Sequence, residues 1–177
     1  MFSKKAVTVE LGGAVTLFSD TSACKIKNFN ASKYKKYFEI DKKTGKIKTK
    51  KYYKVKIKKE IPVKVVVNGK PYTVKIRIKI PAPEVKITRK KDILNGEAAY
   101  RYTFTYKEKK AKKIQVRIKN LKEANSVLDQ YVSKNKSNKD SYIKIKQKRV
   151  KKLGKKITFE IIASYGKNKS EKLIIRK

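Results

Sequence analysis

Lys75-Ile76-Arg77-Ile78-Lys79-Ile80 alternates a cation with an isoleucine without a break. In an extended chain, successive side chains point to opposite faces. This run therefore gathers Ile76, Ile78 and Ile80 on one side and Lys75, Arg77 and Lys79 on the other. The same period of two returns in Lys54-Val55-Lys56-Ile57-Lys58, in Val85-Lys86-Ile87 and in Ile143-Lys144-Ile145-Lys146. β-Branched residues suit a pleated, half-buried surface. The pattern predicts antiparallel sheets with one face on a core and the other in water. Lysine suits the wet face, because its stem lies along the sheet while the ammonium stays hydrated.

Outward from that run, turn signals cut the chain into short strands. Asn68-Gly69 joins Ile61–Val67 to Tyr72–Ile80 and is a strong hairpin signal. Pro62 suggests an edge or a strand start. Further upstream, strands are expected at Ala6–Glu10, Ala14–Phe18, Ala23–Phe29, Tyr37–Ile40 and Lys46–Lys50. Downstream, Pro81-Ala82-Pro83 fixes φ and removes two donors, which makes a short stiff connector. The domain boundary is expected there: residues 1–81, a connector at 82–84, and residues 85–177.

The second set of strands is expected at Val85–Thr88, Ala98–Lys107, Ala111–Lys119, Ser141–Lys146, Lys156–Ser164 and Lys169–Arg176, with Gly166-Lys167-Asn168 as the last hairpin turn. Leu121, Ala124, Val127, Leu128 and Tyr131 fall at helical spacing, so Asn120–Val132 reads as a short helix or a compact loop. Ser133–Asp140 reads as an exposed loop. The expected fold class is all-β: two tandem antiparallel β-sandwiches, with one short helix in the second. Sandwiches of about seven strands are a known solution near 100 residues. A single large barrel is the alternative, and the proline connector argues against it.

Composition narrows the chemistry. The 177 residues carry 51 Lys+Arg against 14 Asp+Glu, a net charge of +37, and no His. Without His there is no His metal site, no Ser-His-Asp or Cys-His nucleophile and no imidazole proton shuttle. The single Cys24 forbids an internal disulfide and reads as a buried core thiol. No apolar run approaches the ~20 residues of a membrane-spanning helix. Met1–Lys5 is not followed by the apolar stretch of a signal peptide, so the chain is expected to be cytoplasmic, or a fragment or mature form of a secreted protein. The carboxylates are scattered. Glu39 and Asp41 share a strand face, but Asp41 reads as the opener of a turn. Calcium loops, phosphate loops and nucleophile elbows are absent from the sequence. No enzyme, cofactor or metal is expected.

Lysine exceeds arginine 45 to 6, and the lysines fall on outward positions of nearly every expected strand. Such a charge attracts polyanions in general. Nucleic-acid readers concentrate charge in a groove and enrich Arg, so a basic groove for nucleic acid is the second reading. Two aromatic clusters stand out. Tyr100, Tyr102, Phe104 and Tyr106 share one face of a strand and are expected in the second core. Tyr52-Tyr53, followed by Lys54, Lys56 and Lys58, supplies the candidate ligand contacts, with the tyrosines as sugar- or base-stacking rings.

Tyr37-Phe38-Glu39-Ile40-Asp41-Lys42-Lys43-Thr44-Gly45-Lys46-Ile47-Lys48-Thr49 resembles the strand, D-x-x-T-G, K-[IV]-x-[TA] signature of bacterial immunoglobulin-like domains of group 2. The resemblance covers about Lys4–Ile80 and departs from the family at the Lys- and Tyr-rich stretch 50–58. The second half resembles an immunoglobulin-like or fibronectin-like module. The resemblance implies immunoglobulin-like sandwiches strung along a secreted or wall-attached protein of a Gram-positive bacterium. There they would act as spacers or adhesion modules, with neighbouring domains in a longer parent chain. It also implies an extracellular or cell-surface location, with an anionic wall polymer or host glycan as partner.

Overall fold

Among the described residues, the chain forms fourteen strands and one short α-helix. The computed structural model describes residues 6–17, 24–25, 34–41, 43–67, 69–108, 110–119, 128–131 and 141–176. The chain divides into two compact units. The first comprises Met1–Pro81 together with Tyr165–Asn168, and the second comprises Ala82–Ser164 with Lys169–Lys177.

The first unit holds two small sheets. One has the order β1-β7-β6-β3, from Ala6–Glu10, Lys70–Lys79, Ile61–Val67 and Cys24–Lys25; the other has the order β2-β5-β4, from Ala14–Thr16, Lys46–Thr49 and Phe38–Ile40. The period of two decides what is buried: Ile61, Val63 and Val65 on β6 and Val74 and Ile76 on β7 are all 2% exposed or less, and the lysines between them face water. Ile78 is only half-buried. Among the described residues, β3 pairs with Val66 and Val67. At Pro62 the ladder runs to β7 alone among the described residues.

One pairing departs from the antiparallel expectation. β1 runs parallel to β7, with Val7 opposite Ile76 and Val9 opposite Ile78. The long intervening chain removes the need for a hairpin, so a parallel partner is available. Of the expected strand 23–29, the described part is Cys24–Lys25, whose backbone pairs with β6. The burial expected for the Cys24 thiol lies outside the described side chains.

The second unit also holds two sheets. One has the order β11-β12-β9-β8, from Leu128–Tyr131, Ser141–Lys146, Glu97–Tyr106 and Val85–Leu94; the other has the order β10-β13-β14, from Lys113–Ile118, Thr158–Tyr165 and Asn168–Ile175, of which the end residues Tyr165 and Asn168 count with the first unit. One apolar cluster draws on both. It contains Tyr102, Phe104 and Tyr106 of β9, Ile143 and Ile145 of β12, Val116 of β10, and Phe159 and Ile161 of β13. The Phe159 ring sits 5.0 Å from Tyr102 and 5.1 Å edge-on from Phe104. The expected aromatic face is thus core at three of its four positions. The fourth, Tyr100, is half-buried beneath the Arg89 guanidinium, 4.9 Å from its ring centroid.

Two expectations are corrected here. The helix read at 120–132 is not helical where it is described: Leu128–Tyr131 is β11, antiparallel to β12 with Leu128 opposite Ile145. Five apolar residues at helical spacing are a weak period, and strand pairing supplies β12 with a ladder that a helix would not. Residues 120–127 and 132–140, including the loop expected at 133–140, lie outside the described residues. The helix forms instead at Gln147–Leu153 (α1), where Val150 turns into the cluster. Lys151 and Lys152 occupy its last turn, where cations favour the helix dipole. The second correction lengthens β8 from Thr88 to Leu94. Asn95 and Gly96, at φ 51° and 75°, make the tight turn that returns the chain into β9.

Candidate functional site

The signature stretch folds as a turn closed by its own side chains. Asp41 Oδ1 accepts from the Lys43 amide at 2.9 Å, and Asp41 Oδ2 accepts from the Thr44 hydroxyl at 2.7 Å. The Asp41 amide donates to Lys46 O at 2.9 Å, and the Gly45 amide donates to Asp41 O at 2.8 Å. Gly45 sits at φ 64°, which favours a residue without Cβ. The Thr44 hydroxyl, with the Lys43 amide next, holds the Asp41 carboxyl below its ordinary range. With both oxygens engaged, Asp41 serves the turn. Glu39 lies opposite Lys48 in the β4–β5 ladder, a favourable cross-strand pair. The end of the motif is structural as well. Thr49 is buried, and its Oγ1 lies 2.7 Å from Glu10 O and 3.1 Å from Gly13 O.

The candidate contacts that follow are sorted by the structure into different roles. Tyr53 is 1% exposed. Its hydroxyl donates to Tyr37 O in a short hydrogen bond and accepts from the Lys50 amide at 3.2 Å. Burial pushes its phenol up. Tyr53 is therefore a core pin, with its ring buried and its hydroxyl engaged within the first unit. Its neighbour Tyr52 is 43% exposed, and Lys54, Lys56 and Lys58 are exposed. Lys56 and Lys58 lie further along the segment, away from the concavity described below.

Residues 51–60 form no strand, so their backbone needs other partners. The turn Tyr165–Asn168 supplies them inside the first unit. The Lys167 amide donates to Tyr53 O at 3.0 Å. Asn168 Oδ1 accepts from the Ile57 amide at 2.8 Å, and its Nδ2 donates to Val55 O at 3.1 Å. Asn168 is 5% exposed, which makes this bridge between backbone groups an inside one. Gly166 touches the segment so closely that a Cβ there would sit 2.0 Å from Tyr53 O.

With the segment held, Lys36, Lys50, Lys51, Tyr52, Lys54 and Val55 surround a surface concavity of about 550 Å3, floored by Tyr53. The Lys36 ammonium also lies 5.2 Å from the centroid of the Tyr37 ring. Among the described residues, no carboxylate lines this concavity. Of this lining, Tyr52, Tyr53 and Lys54 are among the contacts expected from the sequence, and Lys36, Lys50, Lys51 and Val55 are not. The alternation at 54–58 could not show that an irregular segment brings Lys36 beside it.

Elsewhere the cations are dispersed. Exposed lysines stand on β5, β7, β8, β10, β14 and α1. Several of the described carboxylates are committed to neighbours. Glu60 accepts from Arg77 at 2.6 Å and pairs with Lys75 at 3.3 Å, and these partners, Arg77 first, lower its pKa. Arg117 pairs with the buried Glu160, Lys144 with Asp92 at 3.3 Å, and Lys146 with Glu97. Among the described residues, no three His, Cys, Asp or Glu side chains come together as a metal site would require. No described helix is long and apolar enough to cross a membrane.

No family model and no curated protein matches this chain. Among solved structures, it is similar to the crystal structure of the I9–I11 tandem from titin, at 13% sequence identity and a TM-score of 0.31. That match covers 99% of this chain and 64% of the titin chain.

Proposed function

We propose that the chain is a non-enzymatic structural or adhesion module of a bacterial cell-surface or secreted protein. In this reading its two units are tandem immunoglobulin-like sandwiches, and it works as a spacer whose lysine faces rest against an anionic wall polymer or host glycan. The observation that carries the proposal is the distribution of charge. Exposed lysines occupy both units, while among the described carboxylates Asp41 is held in a turn and Glu60 and Asp92 in ion pairs. The Asp41–Thr49 motif supports the family part of the reading through its self-closed turn.

The test is binding to immobilised long-chain polyphosphate across a salt series. Two block variants are compared: Lys46, Lys48, Lys70 and Lys79 changed to Gln in the first unit, and Lys90, Lys91, Lys151 and Lys172 changed to Gln in the second. A dispersed surface predicts that each block lowers the salt slope by a similar amount, up to about 0.7–0.9 per neutralised phosphate contact. Loss of binding from one block alone would point to a localised site and against the proposal.

The second reading, a nucleic-acid binder with a basic groove, has one local observation in its favour. On β9 and β12 the Arg101 guanidinium lies 3.9 Å from the Tyr142 ring centroid, an arginine-aromatic pairing of the kind used on bases. Binding of single-stranded DNA that survives physiological salt and depends on Arg101 would favour it.

A further inference from the structure

We propose that the concavity beside Tyr52 is a saccharide subsite for a carboxylate- or sulfate-bearing sugar. Tyr52 packs on the sugar ring, and Lys36, Lys50, Lys51 and Lys54 hold its anionic group. The inference rests on the anionic-polymer reading above and narrows it to a ligand class and a place.

The geometry follows from one buried residue. Tyr53 is fixed inward by its hydrogen bonds to Tyr37 and Lys50, and its carbonyl is held by the Lys167 amide. Its chain neighbours Tyr52 and Lys54 are thereby left outside, with Tyr52 43% and Val55 39% exposed. The wall thus carries an aromatic ring and an aliphatic side chain on a backbone that cannot slide, since Asn168 holds both Val55 O and the Ile57 amide. Four lysines surround these apolar surfaces, and no acid among the described residues competes for them there. A volume of about 550 Å3 falls within the ~300–1,000 Å3 usual for small-ligand sites.

The combination selects among anions. An isolated phosphate or a polyol phosphate offers no ring face for Tyr52 or Val55. Single-stranded nucleic acid is bound on successive aromatic platforms, and the described lining of this concavity presents one exposed ring. Lysines act as point charges toward carboxylate or sulfate and lack the planar fork that reads base edges. An acidic sugar uses both the ring and the charges.

The experiment titrates the full chain with tetragalacturonate, a neutral maltotetraose, inorganic tetrapolyphosphate and an oligothymidylate, following amide shifts and affinity. The variants are Tyr52→Ala, Tyr52→Phe, a local set with Lys36, Lys50 and Lys54 changed to Gln, and a remote set with Lys90, Lys91 and Lys172 changed to Gln. The subsite predicts that Tyr52→Ala weakens tetragalacturonate about tenfold or more while Tyr52→Phe stays within about twofold. It also predicts that Tyr52→Ala leaves tetrapolyphosphate unchanged, that the local set weakens both anions, that the remote set leaves tetragalacturonate unchanged, and that maltotetraose binds more weakly than tetragalacturonate. An unaltered tetragalacturonate affinity in Tyr52→Ala, or equal losses from the local and remote sets, overturns the subsite while the dispersed reading stands. Tyr52-dependent oligothymidylate binding tighter than tetragalacturonate overturns it in favour of nucleic acid. If neither tetrapolyphosphate nor long-chain polyphosphate binds, the anionic-polymer reading itself fails, and the subsite with it.

Discussion

The turn Asp41–Lys46 and the segment Tyr53–Ile57 lie a few residues apart in the first unit and are completed in opposite ways. The turn satisfies its backbone with Asp41 and Thr44, residues within the turn itself. The segment has no ladder of its own and is satisfied by Lys167 and Asn168, more than 100 residues later in the chain. The first kind of closure tolerates separation from the rest of the chain. The second makes an irregular segment depend on the remote stretch Tyr165–Asn168 of the same unit.

The most damaging change to the remote closure is Gly166→Ala. The new Cβ would overlap Tyr53 O, and Gly166 sits at φ 67°, where a side chain is strained. A loss of about 3 kcal/mol or more is expected by denaturant unfolding, with Ile57 amide exchange rising more than Gly45 amide exchange. Equal acceleration at both amides would erase the contrast between the two regions. Asn168→Ala comes next. It leaves the Ile57 amide and Val55 carbonyl without the side chain that joins them, and about 2 kcal/mol should be lost. If stability is unchanged, the segment is held by something other than this bridge.

Thr49→Val tests a link of intermediate range. The hydroxyl ties Glu10 O, and the Thr49 amide still reaches Gly13 O at 2.9 Å, so about 1 kcal/mol should be lost. The smallest effect belongs to Asp41→Ala. Asp41 titrates below its ordinary value in the folded protein. Its stabilisation is therefore complete above the unfolded Asp pKa of about 4 and disappears as pH falls through the lowered folded value. An acid titration of stability should show that component in the parent chain and lack it in the variant. A variant whose acid limb matches the parent would deny the carboxylate its part in the turn.

Legibility in the sequence followed the same division. Alternation at 75–80 and the Asp41–Gly45 turn were readable because period two and side-chain turn chemistry act over a few residues. Asn95-Gly96 carries the same hairpin signal as Asn68-Gly69, yet Arg89-Lys90-Lys91-Asp92 breaks the apolar alternation after Thr88, and its pairing with β9 keeps β8 extended to Leu94. The helix moved from 120–132 to Gln147–Leu153 for a related reason: apolar spacing does not reveal that β12 takes Leu128–Tyr131 as its neighbour. The parallel β1–β7 pair and the hold of Lys167 on the Tyr53 carbonyl depend on partners far along the chain, and spacing carries no sign of them. Of the site, Tyr52 and Lys54 were readable as aromatic and cation, whereas Lys36 joins them only through the fold.

The most direct test of the central claim maps the lysines themselves. Long-chain polyphosphate titrated into isotope-labelled protein should move resonances of exposed lysines on both units, among them Lys46, Lys79, Lys90 and Lys172, with shifts that fade together as salt rises. Shifts confined to one face or groove, resistant to salt, would contradict a dispersed polyanion surface and return the protein to the class of localised binders.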